Sequence, residues 1–159
     1  MAAGEDLGLK PFGIRAMDSL RIEKSYRMVG TEMSIEYAAW ESGLDRFIHP
    51  DKGDFIGRDA LLAWREKGFS NAFVTLEVHD VTDADALGNN SIYLKGEVVG
   101  RATGGNYGWR LGKSIALAMV RPDLKEPGTE LEMDILGTTH RVTVVEESPF
   151  DPANERIRA

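Results

Sequence analysis

Apolar positions along this 159-residue chain change their spacing once, near residue 70. Before that point Ile14, Met17 and Leu20 recur at helical spacing, predicting a helix over residues 11–26 with this stripe buried. Pro11 suits its start, because the missing N–H would have no partner inside the first turn. Asp18 with Arg21, and Glu23 with Arg27, are spaced for pairing along the helix surface, and Gly30 is the stop. A second helix is predicted over residues 57–67, beginning at Asp54 or Gly57, with Leu61 and Trp64 on one face. Asp59 complements the positive end of its dipole, Arg65 and Lys67 the negative end, and Gly68 supplies the C-terminal cap. Ser34 to Ile48 reads as loop mixed with short helix.

From residue 72 the period becomes two. Ala72, Val74, Leu76 and Val78 face one way, and Phe73, Thr75, Glu77 and His79 the other. Residues 92–94 and 97–99 flank a Lys95-Gly96 turn. Ile115, Leu117 and Met119 alternate with Ser114, Ala116, Ala118 and Val120. Leu131, Met133 and Ile135 lead into Gly137-Thr138, and Val142 and Val144 follow as a second hairpin. Five or six short strands of this kind predict a small antiparallel barrel or sandwich. The expected fold class is therefore α+β, helices followed by an all-β unit.

Composition narrows the function classes. With 42% hydrophobic and 28% charged residues, the chain reads as an ordinary soluble domain. A net charge of −7, from 26 acidic against 19 basic residues, disfavours nucleic acid as a partner. The chain has no cysteine, which excludes disulfides, a thiolate nucleophile and a cysteine zinc site. No apolar run approaches the about 18–20 residues a membrane span needs. The first residues lack the basic-then-apolar order of a signal peptide, so a cytoplasmic protein without membrane contact is expected.

Candidate chemistry is sparse. Gly100 to Gly108 is rich in glycine, but a phosphate loop needs a helix N-terminus after it, and the next element is the strand from Ser114. The segment reads as a loop joining strands. His49, His79 and His140 lack metal-helix spacing, so no metal site is expected. None of the serines sits in a nucleophile elbow, and no catalytic residue is nominated.

Five segments together carry a resemblance. Phe12 through Tyr26 resembles the "RALDSLRIEKGY" signature of the glycine cleavage T-protein superfamily, and Glu36 to Leu44 resembles the stretch after it. Asp54 to Leu61 is similar to "DFIGREAL"; Val99 to Gly105, continuing to Ala118, and Pro149 to Arg158 match two later signatures. Their order covers essentially the whole chain. Lys24 and the ending Asp151 to Arg158 look most like the dimethylglycine and sarcosine dehydrogenase branch.

The resemblance implies a tetrahydrofolate-dependent one-carbon enzyme of which this chain is the C-terminal part. Residues 1–70 would be the last, incomplete part of the folate-binding module, and residues 71–159 the C-terminal β-barrel. The folate cavity and its catalytic aspartate would lie mainly upstream, as would an FAD domain in the dehydrogenases. Implied partners are folate, a small methylated amine, and the enzyme's own N-terminal portion or a partner subunit. Tyr26 matches a tyrosine bordering the folate cavity. Arg21 and Glu23 match signature residues that hold helix and barrel together. Met17 stands where the free T-protein has a folate-contacting arginine, and Met lacks both that charge and its forked donors. Arg15 is the candidate replacement, although residues two apart point to different sides of a helix. Glu155 replaces a tail tyrosine. Folate-dependent O- or S-demethylation, or a non-catalytic interaction domain, are the alternative functions.

Overall fold

The computed structural model describes residues 2–81 and 83–159. Helices α1 (Ile14–Glu23) and α2 (Arg58–Lys67) precede six strands, and a short helix α3 (Glu155–Arg158) ends the chain. The strands are β1 (Ala72–Val78), β2 (Ser91–Leu94), β3 (Glu97–Gly108), β4 (Lys113–Val120), β5 (Glu130–Ile135) and β6 (Thr138–Val145). They close into an antiparallel barrel in the order β1-β4-β3-β2-β5-β6.

The period-two pattern explains what fills it. Val74, Leu76 and Val78 from β1 point inward, with Ala116, Ala118 and Val120 from β4 and Leu131, Met133 and Ile135 from β5. Alternate residues of β4 point outward, yet Ile115 and Leu117 are also buried, because Ile22 of α1 packs on them beside Phe73 and Leu111. Strand β4 is apolar on both faces because it has the barrel interior on one side and α1 on the other. The first hairpin turns as expected, and the second turns one residue earlier than the expected Gly137-Thr138. Lys95-Gly96 and Leu136-Gly137 both take paired positive φ values, 53° and 82° then 52° and 82°, as two-residue turns matching the strand twist require.

Four more expectations change. Helix α1 is shorter than residues 11–26, because Ser25 turns left-handed at φ 54° and ends it. The Ile14, Met17 and Leu20 stripe faces outward; these residues are 77%, 50% and 53% exposed. Ser19, Ile22 and Glu23 make the buried face instead. Hydrophobic spacing finds apolar stripes but not polar residues drawn inward by hydrogen bonds. Glu23 does not pair with Arg27, which is bidentate to Glu147. Finally, Gly100 to Gly108 is no loop but most of β3, laddered to β4 from Gly100↔Val120 to Gly108↔Lys113. Its glycines permit close approach: a Cβ at Gly100 would stand 2.5 Å from the Met119 carbonyl oxygen, and one at Gly108 3.1 Å from Glu23 Cγ. Helix α2 forms as expected between Gly57 and Gly68, but none of its residues is buried.

Candidate functional site

Two of the four nominated residues meet where α1 ends. The Arg21 carbonyl accepts the N–H groups of Lys24 and Tyr26, each at 3.1 Å. The Arg21 guanidinium donates to the Tyr26 carbonyl at 2.7 Å, pairs with Asp18 at 2.9 Å and approaches Glu32 at 3.7 Å. One side chain thus fixes the backbone of Tyr26, a residue that stays 47% exposed.

Lys24 anchors the chain's tail at the same place. Its buried ammonium donates to the carbonyls of Phe150 and Asp151, at 3.1 and 2.6 Å, and to Asn154 Oδ1 at 2.7 Å. Three donors meet three acceptors, which is what a buried lysine needs. The Phe150 N–H adds a bond to the Glu23 carbonyl at 3.1 Å, and the Ser148 hydroxyl one to the Lys24 carbonyl at 2.8 Å.

Arg15 lies at the other end of α1. It pairs with Asp85 at 3.1 Å and, with Leu20, Tyr107 and Trp109, lines an open cleft of about 440 Å³. Tyr107 and Trp109 stack edge-on, 5.0 Å apart. Tyr26 and Arg15 are therefore not brought together: a helix separates them. Glu23 stands between α1 and the β3–β4 tip, accepting the N–H groups of Arg110 and Leu111 at 2.6 and 3.2 Å. Ser19 donates to the Tyr107 carbonyl at 2.7 Å. So Glu23 joins helix to barrel through backbone donors rather than an ion pair.

Several polar groups escaped sequence reasoning. Glu32 is wholly buried, accepting from the Thr103 hydroxyl, from the Thr31 hydroxyl at 2.6 Å and from the Met28 N–H at 2.8 Å. Burial alone would raise its pKa, but these hydrogen bonds outweigh burial and hold it below the ordinary carboxylate value. Arg101 donates to the Tyr37 hydroxyl at 2.9 Å and to Glu36; the first bond, then the second, raise its pKa further. With Thr103 and Gly30 it borders a polar pocket of about 250 Å³. Thr103 is 71 residues from Glu32, and no local spacing betrays such a pair. Among the described residues no group of His, Asp and Glu could hold a metal ion. Nor is any helix there long and apolar enough to cross a membrane. The arrangement suits binding and positioning.

Comparison with known proteins gives this geometry a lineage. The mouse mitochondrial dimethylglycine dehydrogenase is 37% identical over 99% of this chain, which spans 18% of that protein. An aminomethyltransferase of Moorella thermoacetica is 36% identical over 94% of the chain, which spans 40% of it. The formaldehyde-forming 4-methylaminobutanoate oxidase of Paenarthrobacter nicotinovorans is 35% identical over 98% of the chain, which spans 19% of it. The fold matches the crystal structure of a glycine cleavage aminomethyltransferase from Bartonella henselae, with a TM-score of 0.80 at 23% identity. That superposition covers 88% of this chain and 39% of the other. The GCVT N-terminal domain model matches residues 1–52. The model of the glycine cleavage T-protein C-terminal barrel domain matches residues 71–151, the six-stranded barrel itself, and the chain belongs to that family.

Proposed function

We propose that the chain is the C-terminal part of a tetrahydrofolate-dependent one-carbon transfer enzyme acting on a methylated glycine such as dimethylglycine or sarcosine. One observation carries this reading. The same stretch is shared by a dimethylglycine dehydrogenase, a methylaminobutanoate oxidase and an aminomethyltransferase. Those names differ in how the reaction starts, and have in common a one-carbon unit attached to nitrogen. The shared stretch then serves the shared step, and any FAD-dependent oxidation belongs to sequence beyond it.

Within that scheme tetrahydrofolate, when bound, supplies the amine nucleophile that takes up the one-carbon unit. This chain contributes a wall of the site. Tyr26 offers its half-exposed ring to a flat heterocycle, and Arg21 holds the Tyr26 backbone while Lys24 holds the tail alongside. Arg15 serves at the far end of α1, with Asp85 fixing its guanidinium. Such positioning acts by confining two reactants, which raises their effective concentration. Residues 1–70 as the end of a folate module, residues 71–159 as its buttress and a cytoplasmic location belong to the same reading. The mouse relative's name places that protein in mitochondria.

Calorimetric titration of tetrahydrofolate tests the proposal. A longer protein that adds the upstream module is expected to bind, and the 159-residue chain alone to bind far more weakly. In the longer protein Tyr26→Ala should weaken binding at least about tenfold, or about 1.4 kcal/mol. No heat from the longer protein would overturn the assignment.

A further inference from the structure

Arg101 on β3 has more donors than its neighbours take up. A guanidinium carries its N–H groups in a planar fork that suits the two oxygens of a carboxylate. Here Nε and Nη2 both turn to one atom, the Tyr37 hydroxyl, with Nε at 2.9 Å. Nη2 also meets Glu36, and Nη1 reaches only Asn89 Oδ1, at 3.4 Å. The Glu36 side chain is 61% exposed, and an exposed pair of this kind contributes little to stability. Glu36 thus covers the fork as a carboxylate that another can displace. In a chain of net charge −7, a cation that lines a pocket and is held by so exposed a partner is suited to an oxyanion from outside.

The same pocket, of about 250 Å³, carries the opposite preference elsewhere in its lining. Thr31 and Thr103 line it too, and each gives its hydroxyl proton to Glu32, Thr31 at 2.6 Å. Their oxygens can therefore only accept from a ligand. Glu32 itself is wholly buried, and its hydrogen bonds keep it ionised at neutral pH. Arg21 is the cation facing it, at 3.7 Å, but Arg21 is also paired with Asp18 at 2.9 Å, so this cluster keeps a net negative charge. One part of the pocket thus favours a carboxylate and another a cation bearing N–H groups. The geometry points to a binding site for a small zwitterion, an amino acid of glycine's size, with its carboxylate on Arg101 and its ammonium on the Thr31 and Thr103 oxygens. The volume lies below the roughly 300–1,000 Å³ of sites for drug-sized ligands, which suits so small a solute. None of Arg15, Arg21, Glu23 and Tyr26 lines this pocket, so the assignment stands apart from the folate reading.

Titration of the isotope-labelled 159-residue protein with glycine, followed by NMR at constant ionic strength, tests this. The Arg101 Nε–H and Asn89 amide resonances should shift to saturation with a Kd on the order of 1 mM. Acetate has only the carboxylate and methylamine only the ammonium, so each should bind at least about tenfold more weakly than glycine. Arg101→Gln should abolish the saturable shift while its melting temperature holds. Glu36→Gln removes the competing carboxylate and should tighten glycine binding at least about threefold. A merely structural ion pair would not respond with opposite signs to the loss of its two partners. Absence of saturation by glycine in both the wild type and Glu36→Gln would overturn the inference. Binding of acetate or methylamine as tight as that of glycine would overturn the zwitterion, and unchanged binding by Arg101→Gln would overturn the site. No folate enters the measurement, so its failure leaves the one-carbon reading standing.

Discussion

Glu23, Glu32 and Glu41 are buried in a chain whose net charge is already −7. Each accepts at least one backbone N–H group, and all three join segments far apart, Glu32 through the Thr103 hydroxyl. Glu23 takes Arg110 and Leu111, and Glu41 takes Ala38, Ser70 and Asn71. A carboxylate has enough lone pairs to satisfy several donors at once, which a loop of irregular backbone needs. Glu32 makes the pH consequence definite. Its folded pKa lies below the ordinary 4.5, so the unfolded chain binds the proton more readily. The stabilisation it supplies is complete above the unfolded pKa and is lost as pH falls through the folded one. Urea unfolding from about pH 5 to about pH 3 should show stability falling more steeply in the wild type than in Glu32→Gln. Parallel profiles would remove Glu32 from the explanation. At this scale little was legible beforehand. Tyr26, Arg15, Arg21 and Glu23 came from resemblance, whereas the partners of Glu32 and Lys24 lie 71 and up to 130 residues away.

Elements were easier to read than their environment. The β1 alternation and both hairpin turns follow from local chemistry, since period two and Gly at positive φ need no tertiary partner. Strand β3 resembles a loop in sequence, because its glycines make sense only beside their neighbours, Met119 and Glu23 among them. The apolar stripe of α1 marks the helix but not its buried face, which holds Ser19, Ile22 and Glu23. The tail is the clearest case of an element held from a distance. Helix α3 has only four residues, too few to persist by itself. Asp151 caps the N–H groups of Glu155 and Arg156, and Lys24 holds the carbonyl of that same Asp151. Replacing the ammonium by an apolar chain of similar length, Lys24→Met, should free the tail without opening the barrel. Amide exchange at Glu155 and Arg156 should quicken at least about tenfold, equivalent to about 1.4 kcal/mol, while β4 amides stay protected. Unchanged exchange at those two amides would show that Asp151 alone suffices.

At the scale of the molecule, α1 and the barrel share Ile22, Phe73, Ile115 and Leu117, so the residues on either side of position 70 are expected to unfold together. Heating should give one calorimetric transition with equal van't Hoff and calorimetric enthalpies. A chain of residues 71–159 alone should melt lower, because Ile115 and Leu117 would face water; two separate transitions in the whole chain would contradict this. Closure of the barrel has a further consequence. Each of the six strands hydrogen-bonds to a neighbour on both sides, so among the described residues no whole strand edge is left open for another chain to add a strand. Cross-β aggregation of the folded state is thereby blocked at the backbone. It must wait for a seam to part, and the shortest is β2–β5, paired only at Ile92↔Met133 and Tyr93↔Glu132.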